Sequence, residues 1–407
     1  MSEVRSDGTG VAAAVSAARS AGIERVHFLA WRDLEDEEAG GSELHAHRIA
    51  SLWAENGLRV TMRTSRVSGL PARAKRDGYE VVRKGGRYLV FPRSAMRGIA
   101  GGIRRRDALV EIWNGMPFLS PLWARCPRVV FLHHVHAEMW RMVLPKMLAS
   151  AGTRIESRFA PPLYRSTRIL TLSESSREEI VGLLGMKLSQ VSVVPPGVEP
   201  RFSPGGKRAP YPLVVAVGRL VPVKRFGVLI QAAATLRDRY PGLRLAIAGE
   251  GYERPALEEQ VRRLRAGSWV ELTGHLPDSE VVDLYRSAWV VASASQREGW
   301  GMTITEAAAC GTPAVATDIA GHRDAIVHGK TGLLVDEPSA IAGALDIILG
   351  DPALRERLGR HAQANAAKLT WEATAAGALF ALAAEAAKAN GEPVGSGFGH
   401  RLPVAGA

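Results

Sequence analysis

Short β-rich runs alternate with helical stretches over almost the full length of this 407-residue chain. Such alternation predicts α/β architecture with parallel sheets, because each parallel strand needs a crossover connection that returns the chain to the same edge. The stretch PPGVEPRFSPGGKRAPYP (195–212) is dense in Pro and Gly and is predicted to be a linker. The sequence therefore predicts two α/β domains, each long enough to bury its own core.

The predicted elements fall into two sets on either side of this linker. In the first half the predicted strands are 25–31, 58–64, 87–92, 108–113, 128–134, 168–173 and 191–195. In the second half they are 213–217, 243–248, 269–273, 289–294, 313–317 and 331–336. Helices are predicted over 42–56, 352–367 and 370–390. We assign 1–24 to a flexible N-terminus, 25–199 and 200–369 to the two domains, 370–390 to a helix that packs back on the first domain, and 391–407 to a disordered tail.

Cysteine usage and hydropathy narrow the class of protein. Cys126 and Cys310 stand in no CxxC or Cys/His spacing, so neither a disulfide framework nor a zinc site is predicted. The first residues lack a signal pattern, and no apolar run reaches the roughly 18 residues that a membrane-spanning helix needs. We therefore expect a cytoplasmic protein, soluble or peripheral at the inner face of the cell membrane.

Positive charge is concentrated in one part of the chain. The formal net charge is +11, and residues 59–107, here called the basic block, hold 14 Lys and Arg against three acids. Two interpretations stay open, a solvated Arg-rich region or a surface for anionic lipid headgroups or another acidic partner. A basic nucleic-acid-binding α/β protein is an alternative, but the block has neither an RNP-like aromatic pattern nor a helix-turn-helix, so no nucleic acid is expected.

Glycines mark one edge of the second predicted sheet. A glycine follows four of its strands: Gly218, Gly249, Gly274 and Gly299. Because the carboxyl ends of parallel strands meet at one edge, this pattern indicates a crevice in which a ligand approaches the backbone. Arg219 and Lys224 follow the first of these strands and favour an anionic ligand such as a diphosphate.

Two carboxylates stand in REGWGMTITEAAACGTPAVA (297–316), Glu298 on a glycine-rich loop and Glu306 about one turn inside the helix that follows. Gly299 and Gly301 would let backbone amides approach a phosphate at the helix start. Carboxylates repel phosphate, so we interpret them as acceptors for hydroxyls on either side of a diphosphate. A nucleotide sugar has that layout. The alternative is a surface acid at 298 and a charge favoured by the helix dipole at 306.

These segments resemble the family 4 retaining glycosyltransferases of GT-B fold. The matching stretches, in the order and spacing of the family, are VGRLVPVKRFGVLIQAA, AIAGEGYERPALEE, LTGHLPDSEVVDLYRSAWVVASAS and EGWGMTITEAAACGTPAVATDIAGHRDAI. The resemblance covers most of residues 25–385. It implies two Rossmann-like domains facing each other across a cleft, with the acceptor bound by 25–199 and the nucleotide sugar by 200–369.

The resemblance also implies roles for individual residues. Arg219 and Lys224 would hold the donor diphosphate, Glu306 the ribose and Glu298 the transferred sugar. Further donor-site residues implied by it are Gly218, Gly249, His275, Leu276, Gly299, Trp300, Gly301, Met302 and Thr303. AGGSELHAHRIASLWAENGLRVT resembles the glycine loop and first helix of the family, so Gly40 and Gly41 would border the donor phosphate and the acceptor.

A histidine cluster follows one strand of the first half. VVFLHHVH (129–136) resembles the strand end that carries the active-site histidine of the family. The alignment places His133 there, with His134 and His136 as alternatives. No carboxylate pattern completes a metal site with these histidines, and the family has none.

The reaction implied is transfer of a hexosyl unit, mannosyl or glucosyl, from a nucleoside diphosphate sugar to an acceptor hydroxyl with retention. No metal and no cofactor are expected, and the acceptor is expected to be lipid-linked, in cell-envelope glycolipid or polysaccharide synthesis. A nucleotide-sugar epimerase of the same fold is the alternative. A nicotinamide-dependent dehydrogenase is excluded because its glycine fingerprint follows a strand, whereas GTGVAA (8–13) has no predicted strand before it.

Overall fold

The computed structural model describes residues 10–99, 107–136, 139–140 and 145–392. The chain divides into two compact units. The N-terminal unit consists of Met1–Gly197 together with Thr370–Ala407, and the C-terminal unit consists of Val198–Leu369. The last helix of the chain therefore belongs to the first unit rather than to the unit that precedes it in sequence.

The described part of the N-terminal unit contains an eight-stranded sheet in the order β3-β4-β2-β1-β5-β6-β7-β8. Its strands are β1 (Arg25–Leu29), β2 (Arg59–Thr64), β3 (Arg73–Arg76), β4 (Tyr79–Arg83), β5 (Ala108–Trp113), β6 (Arg128–Leu132), β7 (Arg168–Thr171) and β8 (Val191–Val193). Neighbouring strands are parallel except β3, which is antiparallel to β4. Every residue of β5 is buried, as expected for a central strand of a covered parallel sheet.

Helices cover this sheet. They are Val11–Ser20, Gly41–Glu55, Val90–Ile99, Lys146–Arg154, Ala160–Leu163, Glu174–Leu184 and Trp371–Ala389, with a π-helical turn at Ile155–Phe159 and 3₁₀ turns at Ser120–Leu122 and Leu188–Gln190. The helix Trp371–Ala389 contacts the helices Val11–Ser20 and Gly41–Glu55 and shares one hydrophobic core with them. Small alanine side chains along this helix permit the close approach of its neighbours.

The expectation of a flexible N-terminus over 1–24 is wrong for Val11–Ser20, which form a helix. Val11, Ala14, Val15 and Ala18 lie on one face and are buried against the core. The alanine-rich sequence has a weak hydrophobic pattern, but alanine has the highest helix propensity and fits a shallow interface. Residues 1–9, and 393–407 of the predicted tail, lie outside the described residues.

A second difference concerns residues 87–92, which were predicted to be a strand. Tyr88 and Leu89 are exposed, and Val90 begins a helix. The strands of this region are instead β3 and β4, joined by Asp77 and Gly78, which both have positive φ. Asp-Gly is a preferred pair for a two-residue hairpin turn, so the hairpin signal was present in the sequence and was missed.

The described C-terminal unit contains a six-stranded parallel sheet in the order β11-β10-β9-β12-β13-β14. Its strands are β9 (Leu213–Val217), β10 (Arg244–Ala248), β11 (Val270–Gly274), β12 (Val290–Ser293), β13 (Ala314–Thr317) and β14 (Gly332–Val335). Its helices are Phe226–Leu236, Arg254–Arg263, Asp278–Ser287, Met302–Ala309, His322–Ala325, Ile341–Gly350 and Pro352–Ala366, with 3₁₀ turns at Pro222–Lys224 and Pro338–Ala340. The predicted organisation as two α/β units with parallel sheets is confirmed, with β3 as the antiparallel exception. Among the described residues, no helix combines the length and apolar character needed to cross a bilayer.

Candidate functional site

The sheet of the C-terminal unit changes direction between β9 and β12. β10 and β11 lie on one side of β9, whereas β12, β13 and β14 lie on the other. Loops that leave the carboxyl ends of the two strands at such a switch point diverge, and open parallel sheets bind ligands in the resulting crevice. The loops after β9 and β12 carry Arg219, Lys224 and Glu298.

Gly218 and Gly249, which follow β9 and β10, allow the two loops to pack backbone against backbone. Both have positive φ, and the Gly218 N–H donates to the Ala248 carbonyl at 2.9 Å. A Cβ on Gly249 would overlap the Gly218 carbonyl oxygen. The sequence pattern suggested ligand contact as the reason for glycine at 249, whereas the structure gives a packing reason that holds without any ligand.

Lys224 and Glu298 form an ion pair at this edge. The Lys224 Nζ donates to Glu298 Oε1, and the Ser295 Oγ donates to the same oxygen at 2.9 Å. The Gln296 N–H donates to the Val223 carbonyl at 2.8 Å, which ties the loop after β12 to the turn that carries Lys224. The family resemblance implied separate partners on a ligand for Lys224 and Glu298, and the structure brings the two side chains into direct contact.

Glu298 is ionised at neutral pH. Burial raises the pKa of its carboxyl, but attraction to Lys224 and His322 and hydrogen bonds from Lys224 and Ser295 outweigh burial, so the pKa lies below its usual value. An ionised carboxylate only accepts hydrogen bonds. Glu298 is therefore suited to hydroxyl groups of a ligand rather than to proton transfer.

The helix Met302–Ala309 begins directly after the glycine-rich loop. Gly301, its N-cap, has a φ of +109°, a conformation that favours glycine. The first amides of a helix have no acceptor within the helix, and the N-terminus carries partial positive charge. Met302 and Thr303 supply such amides here, while Gly299 and Trp300 in the loop before them are buried. This start fits an anionic group such as phosphate.

Glu306 lies inside the same helix, and its Oε2 accepts a hydrogen bond from the Tyr285 hydroxyl at 3.1 Å. Burial raises the pKa of Glu306 to about 7, and Glu199 and Asp278 add to the rise, while the Tyr285 hydrogen bond and Arg201 oppose it. The carboxyl therefore titrates near neutral pH. Hydroxyl donors of a ligand would stabilise its ionised form.

The remaining predicted residues of this unit lie at the same edge of the sheet. Arg219 follows Gly218 and is exposed, and His275 and Leu276 follow β11, exposed and half-buried respectively. The predicted donor residues thus share the carboxyl edge of one sheet. Among them, Lys224 and Glu298 are brought into an ion pair.

Gly40 and Gly41, predicted to border the donor phosphate, stand at the start of the helix Gly41–Glu55 in the N-terminal unit. The Gly40 N–H donates to Glu43 Oε2 at 2.9 Å, and the Ser42 hydroxyl donates to the same oxygen at 2.8 Å. Asn114, just after β5, donates to the Ser42 hydroxyl at 3.1 Å. These bonds fix the helix start beside the carboxyl end of β5.

His133 is 5% exposed and pairs with a second histidine that the sequence analysis did not single out. Its Nε2 lies 3.2 Å from the Nδ1 of His45, and the two rings meet edge to face. Burial lowers the pKa of both imidazoles, to about 3 for His45. Both are neutral at pH 7, so one nitrogen of the contact donates and the other accepts. Within the described residues the Nδ1 of His133 has no hydrogen-bond partner.

The two alternative histidines belong to a neighbouring cluster. The rings of His134 and His136 stack at 4.7 Å. The His136 backbone N–H donates to Glu156 Oε1 at 2.8 Å, and the Trp140 Nε1 donates to Glu156 Oε2 at 2.9 Å. These contacts anchor the chain after β6. The role of His133 at a sugar stays a prediction.

Other residues of the C-terminal site were missed at the sequence level. Tyr285 contacts Glu306, Ser293 contacts both Ser295 and His322, and Ser295 contacts Glu298. All four lie in stretches that carry the family resemblance. Their side chains have no spacing that links them to the glutamates, so the contacts follow only from the folded chain.

Two family models match the chain, and together they reach across both units. The Glycosyltransferase Family 4 model matches residues 39–202, and the Glycosyl transferases group 1 model matches residues 199–365. The chain belongs to the family 4 glycosyltransferases. This membership confirms the resemblance found in the sequence.

Solved structures establish the fold of this family 4 chain as GT-B. Sucrose-phosphate synthase from Thermosynechococcus elongatus gives a TM-score of 0.75 at 20% identity, over 86% of this chain and 96% of that one. HepE from Anabaena in complex with UDP-glucose gives 0.65 at 18% identity, over 90% and 99%. At such identities the likeness concerns the fold alone.

Curated relatives share more sequence over shorter stretches. The D-inositol 3-phosphate glycosyltransferase of Nocardia farcinica is 35% identical over 260 residues, which are 59% of this chain and 58% of that protein. The protein of the same name from Corynebacterium urealyticum is 39% identical over 209 residues, 46% of this chain and 49% of that protein. The chain thus spans about half the length of the curated relatives it matches.

Proposed function

We propose that this protein transfers a hexosyl unit from a nucleoside diphosphate sugar to an acceptor hydroxyl with retention at the anomeric carbon. The observation that carries the proposal is the ion pair of Lys224 with an ionised Glu298 beside a helix start, at the switch point of a parallel sheet. Cations and helix amides suit a diphosphate, and an ionised carboxylate suits sugar hydroxyls. The UDP-glucose complex of HepE supports a nucleotide-sugar donor, and the names of the curated relatives support glycosyl transfer.

In the proposed reaction the bond between the anomeric carbon and a diphosphate oxygen breaks as the bond to the acceptor oxygen forms on the same face. The proton of the acceptor hydroxyl passes to the departing phosphate oxygen. Arg219, Lys224 and the helix start stabilise the negative charge that develops there. Glu298 and Glu306 accept hydrogen bonds from the sugar and the ribose, and neither acts as a nucleophile. His133, in the N-terminal unit, would orient the sugar.

A panel of nucleotide sugars tests the donor class. UDP-glucose, GDP-mannose and UDP-N-acetylglucosamine would be compared in thermal-shift assays, since a ligand at 100 times its Kd stabilises a protein by about 2.7 kcal/mol. We expect donors with one of the two bases to raise the Tm. The nucleoside diphosphate of that base should be released during turnover. No shift with any donor would contradict the proposal. An epimerised sugar formed without acceptor would instead support the epimerase.

Transfer is expected to proceed without a divalent metal. Arg219, Lys224 and the amides at the start of the helix Met302–Ala309 provide positive charge where a metal would otherwise neutralise the diphosphate. Activity measured with excess EDTA should equal activity measured without it. Loss of activity in EDTA, with recovery on adding manganese or magnesium, would contradict this prediction.

The structure reduces the charge that the basic block can offer to a partner. Arg83 is buried and contacts Asp33 and Glu35, each at 3.0 Å. Arg76 pairs with the same two acids at 2.7 and 3.0 Å. These acids lie in the loop after β1, outside the block, so counting charges within the block alone overstates its free positive charge.

A smaller surface remains for an acidic partner, and we define the 88–99 surface as Tyr88 to Ile99. Met96 is 68% and Ile99 72% exposed, and Arg93 and Arg97 are exposed on the same helix. Exposed apolar side chains with interspersed arginines fit the interface of an anionic membrane. We extend the proposal to peripheral membrane binding through this surface and to a lipid-linked acceptor in cell-envelope synthesis. Arg104, Arg105 and Arg106, also predicted to contribute, lie outside the described residues.

Co-sedimentation with liposomes tests this surface. Replacing Arg93 and Arg97 with serine should weaken binding to anionic vesicles roughly 30-fold, at about 1 kcal/mol per basic residue near the membrane. The matched control replaces the exposed Arg262 and Arg263 of the C-terminal unit, and we expect it to bind as the parent does. Equal recovery of the parent on neutral and anionic vesicles at low salt would favour a soluble acceptor, such as the inositol phosphate that the relatives' name suggests.

A further inference from the structure

A line of hydrogen-bonding groups runs from Glu298 to His322. Ser295 Oγ lies 2.9 Å from Glu298 Oε1 and 3.2 Å from Ser293 Oγ, which in turn lies 3.3 Å from His322 Nε2. At the far end His322 Nδ1 lies 2.8 Å from the Thr317 carbonyl oxygen. His322 is 1% exposed, so this line is shielded from solvent at the histidine.

The backbone of the loop that carries Glu298 also rests on the segment containing His322. A Cβ on Gly321 would lie 2.7 Å from the Glu298 carbonyl oxygen, and a Cβ on Gly301 would lie 3.2 Å from His322 Cδ2. The imidazole is therefore packed against the loop and bonded at both nitrogens. Its position is fixed relative to the carboxylate at the other end of the line.

The protons on this line can be assigned. A carbonyl oxygen only accepts, so His322 Nδ1 carries a proton and donates it to Thr317. In a neutral imidazole the Nε2 is then an acceptor, and it accepts a hydrogen bond from the Ser293 hydroxyl. The hydroxyl proton of Ser295 points to Glu298. The contact between the two serine oxygens consequently contains no proton.

Protonation of His322 completes the line. Nε2 then donates to Ser293, which can turn its own proton to Ser295, and Ser295 donates to Glu298. Every contact between His322 Nε2 and Glu298 then becomes a hydrogen bond, and each of these donors points toward the carboxylate. Chains of this kind strengthen their members, so Glu298 is held more firmly when His322 is charged.

The charged groups around His322 link its protonation to the ligand site. Burial lowers the pKa of His322 most strongly and Lys224 lowers it further, whereas Glu298, Asp318 and the bond to the Thr317 carbonyl raise it. The balance leaves the pKa below its ordinary value, and the imidazole is mainly neutral at pH 7. An anionic ligand that binds Lys224 adds negative charge near His322. It also draws Lys224 away from Glu298, so that the charge of the Glu298 carboxylate is less neutralised. Both changes favour the imidazolium form of His322.

We propose that His322 is a positioning residue that aims the Glu298 carboxylate through Ser293 and Ser295 and takes up a proton when a diphosphate engages Lys224. The proposal rests on the proposed function in that the diphosphate is taken to be part of a nucleotide-sugar donor. It adds to that function a coupling, through the protonation of His322, between binding of the donor diphosphate and the orientation of the Glu298 carboxylate. The contact spans 29 residues of sequence between Ser293 and His322.

A histidine NMR titration tests the linkage without any turnover. The full chain is labelled with ¹⁵N at histidine, and the His322 signals are assigned by their loss in His322→Asn. We expect inorganic pyrophosphate to raise the pKa of His322 in the parent, and Glu298→Gln to lower that pKa. An unchanged His322 titration in both experiments would overturn the proposal.

Kinetics of donor turnover test the positioning role. His322→Ala should lower kcat about 10-fold, the effect of one lost positioning hydrogen bond, and leave the donor KM within about twofold. Ser293→Ala, which interrupts the line at its middle, should do the same. His322→Gln should recover most of the rate, because its amide nitrogen takes the place of the imidazole Nε2 and can donate to Ser293 at every pH, and the pH dependence due to His322 should disappear.

The exposed His361 supplies the control, and His361→Asn should keep the parental kcat and pH profile. His322→Ala and His322→Gln variants that lose rate and thermal stability equally would show a purely structural role and overturn the proposal. Parental kcat in His322→Ala would do so as well. If the parent turns over no nucleotide sugar, the proposed function fails, and the pyrophosphate titration decides the role of His322 by itself.

Discussion

Replacing Glu298 with alanine is expected to remove sugar transfer while nucleotide binding remains. An ionised carboxylate that accepts hydrogen bonds from sugar hydroxyls stabilises the positive charge that develops on the reacting sugar in the transition state. Losing such a contact lowers kcat by roughly 100-fold or more. The ion pair with Lys224 adds a second expectation. Without its carboxylate partner the ammonium is free to bind phosphate, so affinity for the nucleoside diphosphate should be equal to or higher than that of the parent.

Calorimetry with the nucleoside diphosphate and turnover of the full donor separate the two effects. The matched control is Glu258→Ala, an exposed glutamate of the same unit in an ion pair with Arg254, which should change neither quantity. A Glu298→Ala variant as active as the parent would remove Glu298 from the sugar site. Loss of nucleotide affinity together with turnover would assign it to the nucleotide instead.

Glu306→Ala is expected to weaken nucleoside diphosphate binding about 10- to 100-fold. Charge-assisted hydrogen bonds to ribose hydroxyls contribute about 1.5–3 kcal/mol, which corresponds to that range. Turnover at saturating donor should fall less than affinity, because the ribose is remote from the reacting bond. Calorimetric affinity equal to that of the parent would contradict the ribose assignment.

The titration of Glu306 gives this prediction a pH dependence. Its pKa of about 7 is raised by burial, so the carboxylate is lost as the pH falls through 7. Hydroxyl donors need the ionised form, and nucleotide affinity should therefore be full above pH 7 and decline below it. Tyr285 donates to Glu306 and stabilises the ionised form, so Tyr285→Phe should move the midpoint to higher pH. Glu306→Gln should remove this pH dependence.

The fold class could be predicted because most parallel strands are short apolar runs that can be recognised from a few consecutive residues. Predicted runs such as 108–113 and 213–217 coincide with β5 and β9. The errors arose where the local signal is weak or ambiguous. The run 87–92 is mostly apolar, but Tyr88 and Leu89 face solvent, whereas Val90 is buried and Phe91 packs half-buried against the same core. Burial against other elements, rather than composition, decided its conformation.

The charge of the basic block shows the same limit. The sequence gives the number of arginines, but it does not show that Arg76 and Arg83 lie against Asp33. Asp33 follows β1 and Arg83 ends β4, and 50 residues separate them. The sheet order β4-β2-β1 brings the ends of these strands to one edge and so neutralises part of the block.

The sequence by itself determined the two α/β units, the glycine edge of the second sheet and the family, because these depend on local periodicity and on motifs whose residues are close in the chain. Only the tertiary structure decided which side chains meet at that edge. Lys224 and Glu298 are 74 residues apart, Tyr285 and Glu306 are 21 apart, and Ser293 and His322 are 29 apart. Such pairs form because parallel crossovers return the chain to the same edge after intervals that no local pattern encodes.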